Sequence, residues 1–372
     1  MEYRKFGKME NIRVSALGFG CMRFPTVQEN GKSVIDEKRA VNMVRRAIDQ
    51  GVNYIDTAYP YHEGESERVV GAALKDGYRD KVYLATKCPV WLIQKQEDFY
   101  GYLDEQLEKL GVETIDFYLL HALSKERFDE IVRKYDLVSC MERAKAEGKI
   151  RHIGFSFHDD EETFRRIVDF YDWDFCQIQY NYVDTDHQAG TAGLEYAAGK
   201  GLGIVIMEPL RGGKLAMPAP HMAEVFPREK KPVEWAFDFL WNRPEVSVVL
   251  SGMSTEQQVE ENLEFASRSS AGMISEKEQE MFCRAKEIFD TMALVKCTRC
   301  EYCLPCPSGI NIPELFSIYN KTATEGKEAA AKLYQAQETK ADACIRCRRC
   351  EKACPQHIGI SAMMLEIQEE LG

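Results

Sequence analysis

The chain has 372 residues, 45% of them hydrophobic, with 48 Lys and Arg against 60 Asp and Glu. That length suits one large domain plus a smaller one, and the composition is ordinary for a protein that buries a substantial core. The net charge of −12 repels polyanions and disfavours nucleic acid as a partner. No stretch approaches the roughly 18 consecutive apolar residues of a membrane span, and the N-terminus lacks the apolar core of a secretory signal, so a cytoplasmic protein with no membrane partner is expected.

Turn signals at Gly7-Lys-Met-Glu-Asn11 predict a short hairpin within residues 2–13, covering one end of the first domain. Apolar runs of strand length then alternate with amphipathic segments of helix length as far as residue 266. The strand candidates are 14–20, 53–58, 82–88, 116–121, 152–157, 175–181, 203–209 and 246–252. The clearest helix follows the first of them: Ala40, Val41, Val44, Ala47 and Ile48 recur at helical spacing, Asp36 can cap the start, and Gly51 follows the end. Strands alternating with helices pair in parallel, because each crossover helix returns the chain to the same end of the sheet. Eight such units predict an α/β fold with a closed (β/α)8 TIM barrel. An open doubly wound sheet is the alternative, but Gly18-Phe-Gly20-Cys-Met-Arg lacks the third glycine of the dinucleotide fingerprint. Beyond residue 270 the strand signal stops. Segments 275–294, 313–343 and 361–371 read as helices, which predicts a barrel over 1–291 and a small, mostly α-helical domain over 292–372.

The 13 cysteines divide the same way: Cys21, Cys88, Cys140, Cys176 and Cys283 are scattered, while the rest crowd between Cys297 and Cys354. They form Cys297-x2-Cys300-x2-Cys303-x2-Cys306-Pro and Cys344-x2-Cys347-x2-Cys350-x3-Cys354-Pro, and both motifs finish Cys-Pro-x-x-Ile-x-Ile. Three thiolates spaced by two residues can wrap a tight loop around one face of an iron-sulfur cube, and the proline redirects the chain. In two-cluster ferredoxins the fourth cysteine serves the opposite cluster, so the expected ligand sets are Cys297, Cys300, Cys303 with Cys354, and Cys344, Cys347, Cys350 with Cys306. Two zinc sites are the alternative, although these usually use separated C-x2-C pairs rather than triplets. Disulfides would require an oxidising compartment. Arg299, Arg346, Arg348 and Arg349 lie among the thiolates, where they either offset negative charge or face solvent. A helical insert between two Cys-Pro motifs is similar to the α-helical dicluster ferredoxin domain joined to many redox enzymes. That resemblance covers roughly 292–372 and implies two [4Fe-4S] clusters.

In the barrel, Asp56, Lys87 and His121 fall at the carboxyl ends of successive predicted strands, and Tyr61 lies in the loop after Asp56. Those ends form one rim, where barrels of this kind carry their chemistry. Reducing a carbonyl leaves charge on oxygen, which must be hydrogen-bonded and protonated, and a phenol is a poor acid unless tuned. Lys87 can lower the Tyr61 pKa, Asp56 can hold the lysine, and His121 can orient the carbonyl. Singly, each has a plainer reading: a local cap for Asp56, a surface charge for Lys87, a packing aromatic for Tyr61, a core histidine for His121. Their convergence on one rim favours chemistry.

With these residues in place, the chain resembles the aldo/keto reductase family from about Tyr3 to Ala266. The motifs are Leu17-Gly-Phe-Gly20, Asn53-Tyr-Ile-Asp-Thr-Ala-x-x-Tyr61, Ala85-Thr-Lys87, Asp116-Phe-Tyr-Leu-Leu-His121 and Ile153-Gly-Phe-Ser156. The resemblance implies reduction of an aldehyde or ketone with NAD or NADP by the tetrad Asp56, Tyr61, Lys87 and His121. It also implies that Ser156 and Gln179, with Asn181 a weaker member, hold the nicotinamide carboxamide, and that Glu261 and Asn262 lie near the adenine. The cofactor phosphates belong over the loops Leu210-Arg211-Gly212-Gly-Lys214 and Gly252-Met-Ser-Thr-Glu256, where glycines permit close backbone approach.

Three departures stand out. Met207 occupies the place of a tyrosine that stacks on the nicotinamide in many members, which makes a bound flavin conceivable. Gly252-Met253 and Gln258 replace the basic residues of NADP-selective members, and Phe157-His158-Asp159 follow Ser156. For the substrate, Arg23 is a candidate carboxylate ligand and Tyr59, Trp91 and Leu92 a candidate apolar wall, while Cys88 reads as a small buried hydrophobe. A hydride carries two electrons and a cube exchanges one, so direct coupling of the two halves needs a transformer such as flavin. The expected function is an oxidoreductase reducing a small carbonyl compound, coupled or appended to an electron-transfer domain that can serve a redox partner protein. The alternative is an electron-transfer or redox-sensing protein whose barrel binds a nucleotide without carbonyl turnover.

Overall fold

The barrel begins with a plug. In the computed structural model, which describes residues 1–29 and 31–372, β1 (Tyr3–Phe6) and β2 (Met9–Ser15) pair antiparallel. The chain reverses at Gly7, whose φ is +55° and where a Cβ would meet the Gly201 carbonyl oxygen at 2.4 Å, so glycine is required there. The turn drops Phe6 onto the starts of the barrel strands, with its ring 4.7 Å from Phe117 and 5.7 Å from Phe175. This is the hairpin the sequence predicts.

The barrel strands are β3 (Leu17–Gly20), β6 (Tyr54–Asp56), β7 (Tyr83–Cys88), β8 (Ile115–Leu123), β9 (Ile150–Phe157), β10 (Phe175–Gln179), β11 (Gly203–Met207) and β12 (Val246–Gly252). They are parallel throughout and close in that order, with β12 returning to β3. Helices cross over between them. The first, Glu37–Asp49, starts where the Asp36 carboxylate accepts from the Arg39 amide at 3.1 Å, and Gly51 follows its end at φ +97°. A hairpin of β4 (Thr26–Glu29) and β5 (Lys32–Ile35) was not expected; β4 is exposed along its whole length and gives no buried alternation to read.

By contacts the chain forms two units, Met1–Pro209 with Ala236–Ile274, and Leu210–Trp235 with Ser275–Gly372. The helix Glu276–Met292, which a boundary at 291/292 gives to the barrel, groups with the second unit. Its Phe282 packs 5.3 Å from Phe226 and 6.2 Å from Trp235, so the excursion after β11 joins it. The helices Ile312–Glu325, Lys327–Gln335 and Ile360–Leu371 complete this unit around Leu315, Phe316, Tyr334 and Ile367, and six of the clustered cysteines pack against that core. The run 313–343, read as continuously helical, breaks at Gly326, which adopts φ +88°. It ends at Gln335, beyond which the Ala341 amide turns back to the Tyr334 hydroxyl at 3.0 Å. Among the described residues, no helix is long and apolar enough to cross a membrane.

Candidate functional site

Parallel pairing of β6 and β7 sets Asp56 opposite Ala85, so Lys87, two residues on, reaches back over the end of β6. Its ammonium donates to both carboxylate oxygens of Asp56, at 2.7 and 2.8 Å, and to the Thr57 carbonyl at 2.7 Å. The pair is buried. Burial pushes the Asp56 carboxyl above its ordinary range and the Lys87 charge pulls it back. Tyr61 enters from the following turn, its hydroxyl 3.5 Å from Lys87 Nζ. That turn is fixed by His62 and Glu63, both left-handed at φ +51° and +57°. The His62 Nε2 accepts from the Phe24 amide at 3.2 Å. Strained backbone of this kind concentrates at functional sites.

His121 comes from inside β8, where the register with β9 shifts between Leu120 and Leu123, and a bulge re-aims the side chains around it. Ala122 takes φ +54°. Its amide donates to Ser156 Oγ at 2.7 Å and its carbonyl accepts from Arg127 Nη1 at 2.7 Å, which pins the distortion from two elements. The His121 ring lies 6.2 Å from the Tyr61 ring and 5.1 Å from Trp91. Burial, followed by the Lys87 and Arg127 charges, holds its pKa well below the ordinary histidine value, so the imidazole is neutral at pH 7. Its Nδ1 is buried and has no hydrogen-bond partner among the described residues.

Behind Lys87 lies a polar network that periodicity did not reveal. Glu67 Oε1 accepts from Thr86 Oγ1 at 2.7 Å and from Gln106 Nε2 at 2.6 Å, Gln106 Nε2 also donates to the Lys87 carbonyl at 3.1 Å, and Tyr118 closes on Gln106 Oε1 at 2.7 Å. Glu67 is fully buried and burial raises its pKa. The available signal was a Ser66-Glu67 pair opening a helix, which reads equally well as a solvated first turn.

The cysteine segments repeat in geometry as well as in spacing. Arg299 and Glu301 in the first, and Arg346 and Arg348 at the equivalent positions of the second, are all left-handed, with φ between +53° and +67°. Alternating hand turns backbone amides inward, as in anion- and cluster-binding nests; the Arg299 amide donates to Cys297 Sγ at 3.4 Å. Cys303 is pushed up to about 12 by burial and by its neighbours Cys300, Cys297 and Cys354, while Cys350 has Cys306 as its neighbour. A cavity of about 210 Å³ is bordered by Cys303, Cys306, Cys344, Cys347 and Cys350. Crowded thiols in an amide-lined turn fit a cationic iron-sulfur core, which would hold them as thiolates.

A family model described as "Aldo/keto reductase family" matches residues 16–277. The chain belongs to the aldo/keto reductase family. A second model, "4Fe-4S dicluster domain", matches residues 293–358. L-galactose dehydrogenase of Arabidopsis thaliana is 28% identical over 289 residues, 71% of this chain and 87% of that protein. The NADH-specific methylglyoxal reductase of Escherichia coli K12 is 28% identical over 198 residues, 49% of this chain and 59% of that protein. In fold, an aldo-keto reductase from Bacillus halodurans in its holo form aligns with a TM-score of 0.65 at 24% identity, over 77% of this chain and 96% of that one. The protein is an oxidoreductase of the aldo/keto reductase type carrying a 4Fe-4S domain.

In this aldo/keto reductase the residues expected at the cofactor are unevenly placed. Ser156, Gln179 and Asn181 are buried together at the ends of β9 and β10. Gln179 Nε2 and Asn181 Nδ2 both donate to Asp184 Oδ2, at 2.9 and 2.8 Å. Beside them Gln177 approaches Met207 Sδ at 3.7 Å, and its Oε1 is buried without a hydrogen-bond partner among the described residues. This set of amides and a hydroxyl fits a carboxamide. Gly252 is exposed at the end of β12, Asn262 donates to Ser251 Oγ at 3.1 Å, and Glu261 accepts from Gln257 at 2.7 Å. Leu210, Arg211, Gly212 and Lys214 lie in the second unit. There Arg211 and Lys214 donate to the carbonyls of Lys296 and Cys297 at 3.2 and 2.9 Å. Of the proposed substrate wall, Trp91 sits at His121, whereas Tyr59 hydrogen-bonds Glu105 at 3.2 Å and packs on Tyr102. Cys88 is buried, and burial raises its thiol pKa.

Proposed function

We propose that the barrel reduces a small aldehyde or ketone with NADH or NADPH, Tyr61 giving the proton, and that the cysteine-rich unit carries two [4Fe-4S] clusters able to serve a separate redox protein. The observation that carries this reading is the Lys87 ammonium, fixed by Asp56 and Thr57 and set 3.5 Å from the Tyr61 hydroxyl. A cation at that distance favours the ionised phenol and so strengthens Tyr61 as an acid. Neutral His121 offers a hydrogen bond to the substrate oxygen without adding a second positive charge. Together they stabilise charge as it develops on that oxygen, and Tyr61 then protonates it. A nicotinamide dinucleotide supplies the hydride when bound; Ser156, Gln179 and Asn181 would hold its carboxamide beside Met207, with Gly252, Glu261 and Asn262 towards the adenosine. Gly252-Met253 and Gln258 offer no cation to a 2′-phosphate, which favours NADH, the cofactor in the name of the Escherichia coli relative.

Tyr61→Phe tests the assignment. Carbonyl turnover should fall by roughly 100-fold or more, the scale of one lost general acid, while the visible absorption of the clusters stays unchanged. Equal turnover by wild type and variant would overturn the role of Tyr61, and no carbonyl turnover by either would favour the electron-transfer alternative.

A further inference from the structure

One loop of the second unit reaches the first cysteine turn at three consecutive residues. Arg211 Nη2 donates to the Lys296 carbonyl at 3.2 Å and Lys214 Nζ to the Cys297 carbonyl at 2.9 Å. Between them Gly212, at φ +64°, lies so close to Thr298 that a Cβ would fall 2.0 Å from its carbonyl oxygen. Arg211 is fully buried, its guanidinium 4.9 Å over the Phe289 ring. The turn's own cations are committed to carboxylates: Lys296 to Asp290 at 2.8 Å and Arg299 to Glu314 at 2.9 Å. The second cysteine turn differs. Residues Ile345, Arg346, Cys347, Arg348 and Arg349 are all exposed, and Arg348 lies 3.8 Å from Glu351.

We propose that Arg211 and Lys214 tune the cluster held by Cys297, Cys300, Cys303 and Cys354, keeping its reduction potential above that of the cluster on the Cys344 segment. The proposal rests on the two-cluster reading above. Reduction adds one electron to a centre already surrounded by four thiolates, so a positive charge fixed at a ligand's own peptide favours the reduced form. A guanidinium buried away from water acts over a longer range than the same charge in solvent. The exposed arginines of the second turn are screened by water and salt and do less. An electron entering at either cluster therefore comes to rest on the Cys297 set.

An anaerobic redox titration of the iron-loaded full chain, followed by electron paramagnetic resonance, tests this in wild type, Lys214→Gln and Lys214→Arg. Wild type should give two midpoints. Lys214→Gln should lower the higher one alone with iron per chain unchanged, and Lys214→Arg should stay close to wild type. Unchanged midpoints in a fully loaded Lys214→Gln overturn the proposal. So does loss of iron from that variant, which would make Lys214 a clamp and not a tuning residue. Wild type alone supplies a check that needs no variant: added salt should move the lower midpoint and leave the higher one, and equal movement of both counts against the assignment. If wild-type protein binds no iron, the two-cluster reading itself fails, an outcome separate from all of these.

Discussion

Lys87 and Glu67 are neighbours in the fold with opposite electrostatic fates. Lys87 has three oxygen partners, whereas the second carboxylate oxygen of Glu67 is buried with no partner among the described residues. Burial raises the Glu67 pKa above its ordinary 4.5. The folded protein therefore keeps a proton that the unfolded chain releases as pH rises past about 4.5. The stability contributed by this group is full below that pH and is lost as pH rises through the folded pKa, with each unit of separation worth about 1.4 kcal/mol. Glu67→Gln removes the titration. Urea unfolding of the two proteins should show Glu67→Gln gaining on wild type between pH 4 and pH 8; a constant difference would mean that Glu67 is ionised in the fold. Residues such as Asp56, Lys87 and His121 were legible because strand ends and chemistry coincide at one rim. Glu67, Gln106 and Arg127 were not, because hydrophobic spacing does not say which polar residue of a helix or loop turns inward.

Among the elements, the eight strands and their closure followed from the alternation of apolar runs with amphipathic ones, and the plug hairpin from the turn signal at Gly7. The hairpin β4–β5 gave no such signal, and the break at Gly326 lay in a segment whose composition is helical on either side. The β8 bulge was equally hidden: a register shift depends on the partner strand, which single-chain periodicity does not contain. The cysteine segments are the converse case: their spacing marks two similar sites, and the likeness to two-cluster ferredoxins implies that each segment lends its last cysteine to the other. The proximity of Cys354 to Cys297 and of Cys306 to Cys350 supports that exchange and makes it testable. Cys306→Ser and Cys347→Ser should perturb the same paramagnetic signal, and Cys354→Ser the other. If Cys306→Ser instead behaves like Cys300→Ser, each segment ligates its own cluster.

For the molecule as a whole, the sequence placed a boundary near residue 292, and that division is incomplete. The second unit also takes Leu210–Trp235 and the helix Glu276–Met292. The reason was not readable beforehand, because nothing in the local sequence around Phe226 and Trp235 marks Phe282 as the ring they pack against. A chain truncated after Ile274 should therefore not behave as a clean barrel. With the partners of Arg211, Phe226 and Trp235 gone, it should elute as aggregate in size exclusion, while the full chain does not; a soluble, folded truncation would show that the excursion can repack alone.

The same interleaving orders events during synthesis. Residues 210–235 are synthesised before residues 236–274, which complete the barrel with β12. Only afterwards does the helix carrying Phe282 appear. At about 5–20 residues per second the excursion waits for several seconds with its aromatics uncovered. β12 therefore closes the barrel while residues 210–235 still lack the helix whose Phe282 packs against their aromatics.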